Sequence, residues 1–213
     1  ILEPRWLPLD EIIRIFSKHA SYADTDEMRR GMYLREYTAL SRLCGGVSSG
    51  RQVILLNGPS SSGKSTLAKA LQALIAEKRS ERYEVVSIDD FMKTDPMETI
   101  YEEDVYAVSD DLCQHALEIL GAGSGVIIDH VITSERIFRQ LKEMLYAYPL
   151  RTVHVTCPTE VLIEREKARG DRCSVSAEAS AEYLYPRDGY DLTVDTGAES
   201  PRANALSLLK NVL

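Results

Sequence analysis

Apolar positions in the first fifty residues recur at helical spacing. Leu9, Ile12, Ile13, Phe16 and Ala20 share one face, and Met28, Met32, Leu34, Tyr37, Leu40 and Leu43 continue a second run. Asp24 and Glu27 stand where a capping box would open that second run. The pattern predicts an N-terminal helical hairpin over residues 1–50. The stretch Cys44-Gly45-Gly46-Val47-Ser48-Ser49-Gly50 ends it, because glycine and serine at this density break a helix.

From Gln52 the rhythm changes to short apolar runs alternating with amphipathic stretches, which predicts an α/β domain over 51–213 with a parallel sheet covered on both faces. The runs Val53–Leu56, Val85–Ile88, Val126–Ile128, Thr152–Thr156 and Leu192–Val194 predict five strands. Helices are expected near Lys64–Lys78, Asp110–Leu120, Glu135–Tyr146, Thr159–Ala168 and Pro201–Val212. Pro158 and Pro201 sit at helix starts, where a missing N–H costs nothing, and Ser200 is placed to cap the last helix.

Composition narrows the partners. With 25 Lys and Arg against 33 Asp and Glu, the net charge is −8, so the chain lacks the basic field with which nucleic-acid binders neutralise phosphates. Cys44, Cys113, Cys157 and Cys173 show no paired spacing of a zinc or redox site, and the expectation is reduced thiols in the cytoplasm. No apolar run reaches the ~20 residues of a membrane helix.

One motif carries most of the chemistry. Gly58-Pro59-Ser60-Ser61-Ser62-Gly63-Lys64-Ser65 fits G-x-x-x-x-G-K-[ST], follows the Val53 strand and opens the helix that contains Thr66, Leu67, Leu71 and Leu74. A turn of this kind wraps phosphates in backbone N–H groups at a helix N-terminus. Lys64 would reach the β/γ oxygens, and the Ser65 hydroxyl would ligate Mg²⁺. ATP with Mg²⁺ is the expected ligand, its γ-phosphate passing to a hydroxyl of a small molecule and ADP leaving.

Ligands of open α/β sheets lie beyond the carboxyl ends of the strands. Asp89 and Asp90 follow the second strand, and either could take the proton of an attacking hydroxyl; Asp129 ends the third as a Walker B acid on the metal side. His130 beside it is read as a hydrogen-bonded core residue. On the Glu164–Arg172 segment, Arg165 and Arg169 are four apart and share a helical face, and Gly170 offers a bend into a lid that could bring arginines onto bound phosphates.

These segments together resemble the chloramphenicol phosphotransferase-like family of P-loop kinases, from Val53 to the C-terminus. The likeness is carried by Ile54 through Ser65, Ile88-Asp89-Asp90-Phe91, Ile127-Ile128-Asp129, Arg165 through Arg172, and Tyr190-Asp191-Leu192-Thr193-Val194-Asp195-Thr196. It implies the three-layer P-loop sandwich, Asp89 as general base, Arg169 and Arg172 as lid arginines, and Asp195 and Thr196 as neighbours of the adenine. The stretch between Phe91 and the third strand is shorter than in the antibiotic-modifying member, and it helps to form that member's substrate pocket. The acceptor therefore stays open between a small-molecule hydroxyl and a nucleotide or nucleotide-sugar. A P-loop module that only binds nucleotide is the third reading. The N-terminal hairpin is extra to the family core and could pack beside the sheet, cap a pocket or mediate a homodimer.

Overall fold

The structure is a computed structural model that describes residues 12, 52–92, 101–169 and 176–213. Apart from Ile12, the hairpin expected over 1–50 lies outside the described residues.

Five strands form one parallel sheet: β1 (Val53–Asn57), β2 (Tyr83–Ser87), β3 (Gly125–His130), β4 (Leu150–Thr156) and β5 (Leu192–Asp195), in the order β2-β3-β1-β4-β5. β1 occupies the centre, paired with β3 on one side and β4 on the other, and every residue of it is buried. A strand walled in on both faces has no use for polar alternation, which is why Val53-Ile54-Leu55-Leu56 reads as an unbroken apolar run.

Alternate side chains of β1 serve different layers. Val53 and Leu55 join Val126, Ile128, Leu112, Leu120, Ile137 and Leu141 beneath α2 (Glu102–Gly121) and α3 (Glu135–Met144). Ile54 and Leu56 join Ile127, Val153, Leu67, Leu71, Leu208 and Leu209 beneath α1 (Lys64–Arg79) and α6 (Pro201–Asn211). Fully burying each such side chain stabilises the fold by about 1.5–3 kcal/mol. The last helix starts as its sequence suggests: Pro201 lies in the first turn and the Ser200 hydroxyl accepts from the Ala203 N–H at 3.2 Å.

The structure differs from the sequence-based expectation in three places. β2 begins at Tyr83 and stops at Ser87, and Ile88–Asp90 form a single 3₁₀ turn, so Asp89 and Asp90 lie on the turn rather than at a strand end. α2 starts at Glu102, eight residues before the expected Asp110, because a first turn of Glu102, Glu103 and Asp104 suits the positive end of a helix although it carries no apolar face. α4 (Thr159–Arg169) is followed by a short α5 (Ser176–Glu182) that no hydrophobic periodicity announced.

Candidate active site

All five strands run the same way, so their carboxyl ends meet on one edge, and a cleft of about 570 Å³ opens there. Lys64, Ser65, Asp89, Asp129, Arg165 and Thr196 line it, arriving from α1, the turn after β2, β3, α4 and the end of β5. Ser60, Ser61, Gly63 and Thr66 face it as well. Gly58, Pro59 and Ser62 belong to the same turn and do not line the cleft.

The turn from Gly58 to Ser65 is shaped by two glycines. A side chain on Gly58 would place its Cβ 2.2 Å from the Val155 carbonyl oxygen of β4, so the close approach of loop and sheet excludes any Cβ. Gly63 holds φ +86, in the left-handed region open to glycine, and starts α1 without any side-chain cap. The first-turn N–H groups of α1 thus keep their positive end toward the cleft, with no acidic residue in that turn to offset it.

Lys64 is buried, and its ammonium donates to the Pro59 carbonyl at 2.8 Å. Ser65 Oγ donates to Asp129 Oδ2 at 2.6 Å. The Ser61 and Ser62 hydroxyls are buried without a hydrogen-bond partner among the described residues, an arrangement rare unless a ligand or water answers it. Positive helix end, buried ammonium and unanswered hydroxyls together suit a polyphosphate. Among the described residues no cluster of three or more acidic, histidine or cysteine side chains could cage a metal by itself. The Ser65 and Asp129 pair nevertheless fits Mg²⁺, which keeps several waters and takes its remaining ligands from one or two side chains and from substrate phosphates.

Arg165 flanks the turn. Its guanidinium donates to Thr196 Oγ1 at 3.2 Å and to the Thr196 carbonyl at 2.9 Å, and the Thr196 hydroxyl in turn donates to the Ser62 carbonyl. Arg165 and Thr196 are thereby fastened to the phosphate loop. The Asp195 carboxylate is engaged elsewhere, accepting from the Gly197 N–H at 2.7 Å and the Ala198 N–H at 3.3 Å, and it does not line the cleft. Arg169 ends α4, and its side chain, like Arg172, lies outside the described residues.

Asp89 borders the cleft and Asp90, one position on, does not. His130 is fully buried on the far face of β3, with Nε2 3.0 Å from Ser109 Oγ. Burial, with a smaller contribution from the Lys64 charge, pushes its pKa down to about 4, so the ring is neutral near pH 7.

Several residues that organise this edge left no local trace in the sequence. Asn57, the buried last residue of β1, accepts from the Ile132 N–H at 2.9 Å and donates to the Tyr185 carbonyl and the Tyr190 hydroxyl, both at 2.8 Å. Tyr190 also stacks on His154. Glu166 is buried on α4, and its carboxylate accepts from the Ala177 N–H of α5 at 2.9 Å. Ser180 of α5 accepts from the Ser60 N–H of the phosphate loop at 2.9 Å.

A central parallel sheet between two helical layers, with a glycine-flanked turn feeding a helix at its carboxyl edge, is the fold of the P-loop kinases. Residues 51–213 match the family described as Chloramphenicol phosphotransferase-like protein, and the chain belongs to that family. Solved structures with the same fold include the Mycobacterium tuberculosis APS kinase CysC in complex with AMPPNP and APS. It is 17% identical, with a TM-score of 0.64 over 78% of this chain and 99% of that one. A gluconokinase from Sinorhizobium meliloti 1021 is 20% identical, with a TM-score of 0.59 over 78% of this chain and 95% of its own. The Deinococcus radiodurans tunicamycin resistance protein is 18% identical, with a TM-score of 0.53 over 76% and 95% respectively. No curated protein matches the chain in sequence. Among the described residues no helix is long and apolar enough to cross a membrane.

Proposed function

We propose that the protein is an ATP-dependent phosphotransferase that moves the γ-phosphate of ATP to a hydroxyl of a small molecule. One observation carries the reading: Asp89 opens onto the same cleft as Lys64 and Ser65. A module that merely binds nucleotide has no use for a carboxylate facing its phosphate loop, whereas a kinase needs an acceptor for the proton of the incoming hydroxyl. Family membership over 51–213 and the kinase fold of the neighbours support the same conclusion.

In this reading the Ser61–Ser65 backbone and the N-terminus of α1 bind the polyphosphate. Lys64 leaves the Pro59 carbonyl to meet the β/γ oxygens, a short swing because the two already share the turn. Ser65 and Asp129 would hold Mg²⁺, which when bound supplies positive charge against the oxygens of the β- and γ-phosphates. Asp89 orients the acceptor hydroxyl and receives its proton. Arg165, with Arg169 at the end of α4 and Arg172 as the family resemblance assigns them, contributes positive charge where negative charge grows on the transferred group, an effect worth ~10³–10⁵ in rate in related chemistry. Thr196, tied to Arg165, sits on the nucleotide side of the cleft, and Asp195 supports it through the turn it organises.

Calorimetry of the intact protein with Mg²⁺ tests the reading at its root: MgATP should bind, and Lys64→Ala should abolish binding without unfolding the chain. A turnover screen against pooled hydroxyl compounds then identifies the acceptor class. Absence of affinity for both ATP and GTP in the unmodified protein would remove the proposal.

A further inference from the structure

The peptide unit between Pro59 and Ser60 is gripped at both ends. Its carbonyl oxygen accepts from the Lys64 ammonium at 2.8 Å, and its N–H donates to Ser180 Oγ at 2.9 Å. A peptide is planar, so its N–H and C=O point in opposite directions and rotate together. Whatever fixes the direction of the Ser60 N–H therefore also helps to fix where the Pro59 carbonyl points, and that carbonyl accepts from the Ser62 N–H at 3.3 Å as well as from the Lys64 ammonium.

Ser180 is itself held in orientation. Its hydroxyl hydrogen is spent on the Ala177 carbonyl at 3.0 Å, which turns a lone pair toward Ser60. Ala177, at the start of α5, is tied through its N–H to the buried Glu166 carboxylate on α4. Glu166 is the immediate neighbour of Arg165, whose guanidinium lines the cleft. A continuous chain of hydrogen bonds thus runs from the arginine helix through α5 to the phosphate loop, across 120 residues of sequence between Ser60 and Ser180.

We propose that Ser180 is a positioning residue for phosphate binding: by accepting from the Ser60 N–H it holds the Pro59–Ser60 peptide plane, and with it the shape of the loop that receives the polyphosphate. The inference rests on the function proposed above. It extends that function to a side chain on α5 that does not line the cleft, and it couples the phosphate loop to the helix that carries Arg165.

The variant Ser180→Ala makes a clean test, because alanine is the better helix former and the side chain is only partly buried. Loss of this acceptor for the buried Ser60 N–H should lower its melting temperature by only roughly 1–6 °C, leaving the protein folded at assay temperature. Its affinity for MgATP should fall by roughly 2- to 13-fold, the range set by the net worth of one hydrogen bond. Ser180→Thr, which keeps the hydroxyl, should restore affinity and so tie the loss to the hydroxyl. In ATP turnover the loss should appear in the KM for ATP, with kcat little changed. If the unmodified protein binds MgATP and Ser180→Ala binds it equally well, the positioning role is refuted while the proposed function stands. If the unmodified protein binds no MgATP, both are refuted. Equal losses in Ser180→Ala and Ser180→Thr would also refute the inference, since they would show that the hydroxyl is not what matters.

Discussion

Replacing Gly58 by alanine converts the close approach of loop and sheet into a measurable strain. The added Cβ would lie 2.2 Å from the Val155 carbonyl oxygen. Ordinary contact between a Cβ and a carbonyl oxygen begins at 3.4 Å, so at least ~1 Å of movement must be found. Neither side yields easily: Val155 is a fully buried residue of β4, and Gly58 directly follows β1, buried along its whole length. Overpacking of this kind costs about 1–3 kcal/mol, which in a chain of this size lowers the melting temperature by roughly 2–12 °C. If the loop gives way instead, the phosphate-binding N–H groups move by about that distance, and a misplacement of ~1 Å at a reacting centre can cost ~10² in rate. Thermal melting and calorimetric titration with MgATP, run on the same preparation, read the two outcomes. Wild-type melting together with wild-type affinity would show that neither the shape of the turn nor its hold on phosphate depends on this contact.

Further expectations follow from the same edge of the sheet. Asp89→Asn should leave MgATP affinity intact while phosphoryl transfer falls by ~10²–10⁴, whereas Asp90→Asn should change little; the reverse ranking in single-turnover kinetics would reassign the base. Asp129→Asn, which keeps an acceptor for Ser65 but removes the charge, should raise the Mg²⁺ concentration needed for half-maximal turnover, and an unchanged Mg²⁺ requirement would contradict the metal-side role. His130 has a folded-state pKa of about 4 against an ordinary 6.5, so its contribution is present in full above pH 6.5 and is lost as pH falls toward 4. The loss amounts to about 3 kcal/mol. His130→Gln, measured by denaturant titration without Mg²⁺, should flatten the stability profile between those limits, and an equally steep profile would refute this.

How much of this was legible beforehand depended on the range of the interactions involved. The phosphate loop could be read because its shape makes local demands: Gly58 for contact with β4, Gly63 for a left-handed φ, Lys64 and Ser65 at the helix start. The strands could be read because the central ones are buried on both faces. α5 escaped because Ser176-Ala177-Glu178-Ala179-Ser180-Ala181-Glu182 has no large apolar side chain to mark a period. β2 was begun late because Glu84 interrupts its apolar run. Ser180, Asn57 and Glu166 act on backbone groups of other elements, at separations of 120, 128 and 11 residues, and no spacing rule encodes such a meeting. Asp89 and Asp90 were open alternatives on the residues alone, and only the family resemblance favoured Asp89. The 3₁₀ turn separates them, presenting one to the cleft and not the other.

The amide of Asn57 has a consequence for anyone redesigning these loops. It answers the Ile132 N–H with one end and the Tyr185 carbonyl and Tyr190 hydroxyl with the other, so two surface loops from distant parts of the chain share a single anchor. Grafting the 183–190 loop from a relative without a tyrosine at position 190 would leave one N–H of the buried Asn57 amide unanswered and disturb the loop after β3 as well. The two must be exchanged as a matched set.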